Sequence, residues 1–280
     1  MGIFSRQPAM AGKVVLITGA GSGIGRETAV AFARQKAHIV MVDLTLPGMA
    51  ETGSLIESAG GSHEAYTCDV SSREAMAELA DKVHERHSAL DVLINNAGIG
   101  SAGRFLETSL DTWEKVLDVN VLGVVHGCHF FASQMVAHGN QGSIVNIASA
   151  AAFAAAKEMP IYAASKFAVF GFTESLRAEM SDYGIHVATI CPGLINTSIV
   201  SNTVFEGAMS AGNKAREKAM ALYERRNYPP EKVAEAILAA VVKRKSVVPV
   251  SPEAWALYYG KRFVPGLMER FGRLDAPVAK

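Results

Sequence analysis

Short, nearly unbroken apolar runs alternate along this chain with longer segments whose apolar positions recur every three to four residues. The first pattern predicts buried strands, the second amphipathic helices. Strands are expected at Lys13–Gly19, Ala37–Asp43, His63–Val70, Leu90–Gly98, Gly142–Ser149, Ile185–Gly193 and Ser246–Val250. Helices are expected over Gly23–Gln35, Gly48–Ala59, Ser71–His87, Asp111–Ala137, the segment around Tyr162 and Lys166, and Pro229–Lys245. Ser71 or Ser72 is placed to cap the third helix. The last helix opens on Pro-Pro-Glu and closes on Lys-Arg-Lys, which suits its dipole at both ends. From about Leu194 to Pro229 the pattern loosens. Strands without polar alternation are covered on both faces, so the alternation of elements calls for a parallel sheet between helical layers.

Composition narrows this to one globular domain with modest appendages: 280 residues, 49% hydrophobic, 19% charged. The expected division is an N-terminal extension at 1–10, a main domain at 11–250 and a tail at 251–280. Lys+Arg and Asp+Glu both number 27, so no basic field draws a nucleic-acid backbone. Cys68, Cys128 and Cys191 lie far apart, as buried thiols in a reducing compartment would. "MGIFSRQPAM" lacks an apolar signal core, and Arg6 breaks the myristoylation pattern. No apolar run reads as long enough to span a bilayer. The expected location is cytoplasmic.

The first chemical signal is "TGAGSGIG" (Thr18–Gly25), between a strand and a helix. Gly19, Gly23 and Gly25 allow a tight turn and close backbone approach to a ligand, and the helix start offers N–H groups to a pyrophosphate. Asp43 lies eighteen positions beyond Gly25, at the end of the second strand. There a carboxylate can accept hydrogen bonds from a ribose diol and would repel a 2′-phosphate. This favours NAD over NADP, with Arg26 as the residue that could reverse the preference. A second signal is Tyr162 and Lys166 on one helical face, four residues apart.

These features, with "NNAG" (Asn95–Gly98), a serine thirteen residues before Tyr162 and "PG" after the sixth strand, resemble the short-chain dehydrogenase/reductase family over about residues 11–250. The resemblance implies a single-domain, Rossmann-type three-layer α/β fold with a seven-stranded parallel sheet. It also implies NAD(P)-dependent interconversion of a secondary alcohol and a ketone. Its catalytic set would be Asn120, Ser149, Tyr162 and Lys166. Ser149 would hydrogen-bond the substrate oxygen and Tyr162 exchange a proton with it. Lys166 would bind the nicotinamide ribose and lower the tyrosine's pKa, and Asn120 would hold a water joining Lys166 to solvent. On the cofactor side, Gly19, Ser22, Gly23, Ile24 and Gly25 would form the phosphate turn, and Asp43 would meet the ribose. Asp69 and Val70 would lie at the adenine, with Asn96, Ala97 and Gly98 supporting the adenosine side. Pro192, Gly193 and Thr197 would embrace the carboxamide. The family often assembles as tetramers, so a homo-oligomer, tetramer or dimer, is expected. Within the family, "LDVNVLGVVHG" and "ICPGLINTSIV" are similar to the reductase half of mycobacterial epoxide hydrolase–reductase fusion proteins, with no counterpart of the hydrolase half here.

The chemistry agrees: a free phenol titrates near 10, and a cation one helical turn away favours its ionised form. Each residue alone has an ordinary explanation, such as a snorkelling lysine or a loop hydroxyl. Other readings of the whole are a 3-oxoacyl thioester reductase, which would want NADPH, and a non-catalytic nucleotide-binding sensor or scaffold. "SAAAFAAAKEMP" and the loose segment Asn196–Gly212 read as apolar lining and lid, which suggests a lipophilic substrate. "HERH" and "HGCH" pair histidines on adjacent helical turns. With no Cys or carboxylate cluster completing a tetrahedral set, they read as surface or packing residues, and no metal is expected. In the tail, Trp255, Tyr259, Phe263, Leu267, Met268, Phe271 and Leu274 form an apolar stripe among basic residues. It suits packing on the domain or a neighbouring subunit, or weak contact with a membrane surface.

Overall fold

The computed structural model describes residues 9–273 except 140, 198 and 201, without the side chains of 211–213 and 271. Residues 1–8 of the expected extension, the Phe271 side chain and Leu274 thus lie outside the described residues. In chain order the first elements are β1 (Val14–Thr18), α1 (Gly23–Arg34), β2 (His38–Asp43), α2 (Leu46–Ser58), β3 (Ser62–Thr67), α3 (Arg73–His84) and β4 (Val92–Asn95). Next come β5 (Ser101–Ala102), α4 (Leu110–Leu117), α5 (Gly123–Ala137), β6 (Ser143–Ile147), α6 (Pro160–Met180) and β7 (His186–Pro192). The chain continues through β8 (Val204–Phe205), α7 (Lys214–Arg226), α8 (Pro230–Lys243), β9 (Val247–Val250), α9 (Pro252–Phe263) and α10 (Pro265–Gly272).

Seven strands form one parallel sheet in the order β3-β2-β1-β4-β6-β7-β9. Alternate strand residues serve opposite layers. Val15 and Ile17 join the core under α1, α2 and α8, while Leu16 joins the one under α3, α5 and α6. This is the expected Rossmann-type, three-layer architecture. The order reverses between β1 and β4, which opens a crevice at their carboxyl ends. Local signals also act as read: Ser72 caps α3 by accepting from Ala75 N at 3.1 Å, and Pro230 starts α8.

Three features depart from the sequence reading. The single helix expected over Asp111–Ala137 is interrupted by a π turn at Asp118–Leu122. The extra residue in that turn aims Asn120 inward, where it is fully buried. The helical run Leu110–Ala137, π turn included, is also long and apolar enough to cross a membrane, with a mean hydropathy of 1.3 in its most apolar window. This corrects the expectation that no segment reaches that length. In the fold 44% of that window is buried, and Asn120 hydrogen-bonds from it to Ile99 and Ser165.

The third departure lies after Leu194. Here β8 pairs with β5, a 3₁₀ turn spans Gly207–Asn213, and α7 follows. Apart from Ala215 and Ala219, α7 buries little, so it carries no apolar stripe to read. Two carboxylates and an arginine tie this segment down. Glu206 accepts from Ser109 N (3.0 Å), Ser109 Oγ (2.9 Å) and Thr112 Oγ1 (3.0 Å) at the start of α4. Glu107 accepts from Ala208 N at 2.7 Å. Arg216 donates to Val200 O and Thr203 O and stacks 4.7 Å over Phe205. Glu206→Ala is expected to lower stability by about 1–2 kcal/mol in urea unfolding. It should also make residues 202–213 an early site of limited proteolysis.

Candidate active site

The crevice between β1 and β4 is built from two turns that lock together. After Thr18 the backbone passes Gly19 at φ 67° and enters α1 through Gly23 at φ 52°, values that favour glycine. A Cβ on Gly25 would collide with the Gly19 carbonyl and stand 2.7 Å from Asn96 Nδ2. Asn96 Nδ2 donates to Thr18 O (2.9 Å) and Gly19 O (3.3 Å), while Asn96 N and Ala97 N both donate to Thr18 Oγ1 at 3.0 Å. No acidic residue stands in the first turn of α1, so the positive end of its dipole, with Ser22 and Ile24 beside it, faces the crevice uncompensated. This fits a dinucleotide pyrophosphate. From the far side Thr197 reaches over, its Cβ 3.2 Å from where a Cβ on Gly23 would be.

Asp43 Oδ2 accepts from Gly21 N at 2.9 Å, and Oδ1 from Thr45 N at 3.2 Å. Carboxylate oxygens have further lone pairs, so both can accept more. Arg26 donates to Gly21 O (2.7 Å), Glu51 Oε2 (2.8 Å) and Thr52 Oγ1 (3.2 Å). Cys68 N donates to Asp43 O, which brings the end of β3 beside Asp43. Asp69 accepts from Ser71 N and Oγ there, and buried Val70 packs on Gly123, its carbonyl 2.9 Å from His126 Nδ1.

Ser149 follows β6, and Tyr162 and Lys166 lie on α6. Ser149 Oγ accepts from Ala151 N (3.1 Å) and can donate to Pro192 O (3.5 Å). Lys166 is 5% exposed; its Nζ donates to Ile147 O at 3.0 Å and lies 5.8 Å from the Tyr162 ring centroid. Burial lowers its pKa to about 8. Tyr162 is partly exposed, yet burial raises its phenol, with a hydrogen bond to Ser149 acting the other way. Burial thus outweighs any lowering of the phenol by Lys166, whose Nζ donates to the Ile147 carbonyl.

Asn120 Oδ1 accepts from Ile99 N (2.8 Å), and its Nδ2 donates to Ile99 O (3.0 Å) and Ser165 Oγ (3.1 Å). It pins the end of the "NNAG" turn, where a Cβ on Gly98 would stand 3.1 Å from Asn120 Oδ1 and 3.6 Å from Lys166 Nζ. Asn120 thus positions the lysine's surroundings. Gly193 donates to Val250 O.

The residues read from the sequence lie at the carboxyl ends of β1, β2, β3, β4, β6 and β7 and on the helices beside them, but several contributors were missed. Glu253 accepts from Leu194 N (3.2 Å) and Arg226 (2.8 Å), bracing the "PG" turn from α9. Tyr223 on α7 faces the site: burial raises its phenol, and the charge of Tyr162 adds to the rise. The helix-forming composition of "KAREKAMALYERR" could have located α7; nothing local announces the rest. The reading of "SAAAFAAAKEMP" as lining also needs correction. Ala150, Ala152 and Phe153 are core residues, Phe153 packing edge-on against Phe170 and Tyr258. In the tail α10 returns to this segment, a Cβ on Gly272 standing 3.0 Å from Ala155 O.

A parallel sheet with a dinucleotide crevice and an adjoining serine–tyrosine–lysine group defines a nicotinamide-dependent class of oxidoreductase. A model of the short chain dehydrogenase family matches residues 13–206, and the chain belongs to that family. It is 43% identical over 264 residues to "Probable oxidoreductase EphD" of Mycobacterium tuberculosis, covering 93% of this chain but 45% of that protein. The chain thus spans about half the length of this relative. Human "Epidermal retinol dehydrogenase 2" is 36% identical over 233 residues, 82% of this chain and 72% of its own. A short chain dehydrogenase/reductase from Burkholderia phymatum, solved in complex with NAD, superposes with a TM-score of 0.80 at 29% identity. That match covers 96% of this chain and 98% of the other.

The folded value near 8 for Lys166 lies below the ordinary 10.5, so the folded chain releases this proton before the unfolded chain does. Burying the ammonium costs stability in full below about pH 8, and the cost fades as pH rises towards 10.5. Lys166→Met is expected to stabilise the chain at pH 7 by on the order of 2 kcal/mol in urea unfolding. Its advantage should shrink steadily between pH 8 and 10.5.

Proposed function

We propose that the chain interconverts a secondary alcohol and a ketone with NAD as hydride partner, acting on a lipophilic substrate. The observation that carries this reading is the convergence of Ser149, Tyr162 and Lys166 at the mouth of the β1/β4 crevice. NAD, when bound, supplies or takes up the hydride. Ser149 Oγ, already next to Tyr162, is placed to donate a hydrogen bond to the substrate oxygen, where charge develops. A phenol titrates near 10 unperturbed and burial raises this one, so Tyr162 carries a proton to give to that oxygen in reduction. Lys166, below its own value of about 8 at pH 7, still presents a cation one helical turn from the phenol. That charge favours the phenolate needed for the reverse step. Asn120 keeps Gly98 and Ser165 in register around the lysine.

Asp43 at the rim supports NAD over NADP, since a 2′-phosphate would meet a carboxylate. Arg26, the cation that could offset it, is committed to Glu51 and Gly21 O. A relative named for retinol supports a lipophilic substrate. Assembly into dimers or tetramers through α6, where Phe167 is 38% exposed, belongs to the same proposal. So does weak membrane-surface contact through Tyr259, Phe263 and Leu267, exposed beside Lys261 and Arg262.

Tyr162→Phe is expected to lower kcat across a panel of alcohols and ketones by about 10²–10⁴-fold, with NAD affinity changed only a few-fold. Unchanged turnover would falsify the chemistry and leave a nucleotide-binding role. For the cofactor, steady-state kinetics should give a higher kcat/KM with NADH than with NADPH, and Asp43→Ala should narrow the gap. A parent chain that prefers NADPH would sink the Asp43 argument.

A further inference from the structure

At the outer edge of the sheet, well away from the crevice, three side chains converge that no local motif joins. Direct pairing of His38 with Ser62 across β2 and β3 sets Glu64, two residues further along β3, on the same face as the histidine's neighbour. The loop after α3 then brings His87 over that edge. His87 Nε2 lies 2.7 Å from Glu64 Oε1, and His38 Nε2 lies 3.9 Å from the same oxygen. One ligand atom from each of the three lies within 4.8 Å of the others. The two imidazole rings are 5.1 Å apart.

Three details go beyond an accidental cluster. His38 Nε2 is buried and has no hydrogen-bond partner. Its Nδ1 pairs with Ser62 Oγ at 2.8 Å. If Nδ1 donates there, the tautomer is set and the Nε2 lone pair is left facing the carboxylate, an arrangement a cation between them would resolve. Glu64 has a side chain only 9% exposed. Its Oε2 is held by Arg86 Nε (2.9 Å) and the Tyr66 hydroxyl (3.2 Å), so Oε1 is oriented towards the two imidazoles.

We propose that His38, Glu64 and His87 form a binding site for a divalent zinc-class cation. Two imidazole nitrogens and one carboxylate oxygen are three of the four ligands of a tetrahedral zinc ion, with the fourth position left to solvent. Arg86 and Tyr66 act behind the carboxylate, as partners that orient metal ligands do. Binding requires His87 to present its Nε2 lone pair where it now donates to Oε1, and small side-chain shifts to draw the three atoms together. The Arg86 charge lowers the affinity of the site for a cation. The ion would clip β2, β3 and the α3–β4 loop together, so it serves the fold's edge rather than the reaction. It also gives one of the "HERH" histidines a role that helical spacing does not show: His87 works with two strand residues, not with His84.

The test is zinc titration of the full, untagged, chelator-treated chain by calorimetry at pH 7.5. One zinc per chain is expected, with a higher melting temperature when it is bound, and loss of binding at pH 5 as the imidazoles protonate. Cobalt(II) should give the strong visible absorption of a four-coordinate ion. H38Q, H87Q and E64Q should each weaken binding by at least about tenfold. Circular dichroism checks that each variant is folded. Should H38Q or E64Q not fold, H87Q, whose residue lies in a loop, decides. No stoichiometric binding, or equal affinity in H87Q and the parent chain, overturns the assignment and places any bound zinc on the other histidines.

Discussion

Placing an ammonium out of water at the end of a parallel sheet is the demand around which this molecule is organised. Lys166 is almost wholly buried and has one described hydrogen bond, to the Ile147 carbonyl at the end of β6. Desolvating such a group is costly, and the neighbouring elements are shaped to accommodate it. Gly98 leaves room where a Cβ would crowd Asn120 Oδ1 and touch Nζ. Asn120 holds the next residue, Ile99, by both backbone groups, and can do so because a π turn swings it inward. A helix of regular pitch would carry the same asparagine elsewhere on its surface.

Beneath that cluster a line of buried polar side chains crosses three elements. Asn95 on β4 donates to Asn146 on β6 at 2.8 Å, and Asn146 donates to Thr173 on α6 at 3.1 Å. Thr173 in turn donates to Val169 O at 2.6 Å. Buried amides are expensive without partners, so this ladder sets how β4, β6 and α6 lie against one another. Since Asn95 begins the "NNAG" turn and α6 bears Tyr162 and Lys166, the same ladder couples the cofactor side of the crevice to its proton-transfer side. Thr18 does the equivalent work between β1 and β4, its one hydroxyl accepting two backbone N–H groups.

The cysteines show how burial separates structure from chemistry. All three are free and buried, and desolvation raises Cys68 to about 11 and Cys128 to about 12. Such thiols are packing residues, and reactivity is left to the oxygen and nitrogen groups of the crevice.

How much of this was legible depended on the range over which each feature acts. The strand–glycine turn–helix unit, the Ser72 cap and the Tyr162–Lys166 pair are local, so residue type and spacing determined them. Hydrophobic periodicity likewise determined the seven strands and the helices that cover them, because burial on one face writes a period into the chain. Helix α7 escaped because it buries almost nothing, and the π turn because α5 is apolar nearly all round, so a one-residue shift in phase leaves no trace. Other features needed the folded chain. Glu253 meets Leu194 N across 59 positions, and His87 meets Glu64 across 23. Strand register and loop path decide such encounters, since neither partner constrains the other until the sheet has formed. The tertiary structure also decided that burial, not the neighbouring cation, dominates the Tyr162 phenol. Sequence places charges along a chain, but only packing determines how much water remains around them.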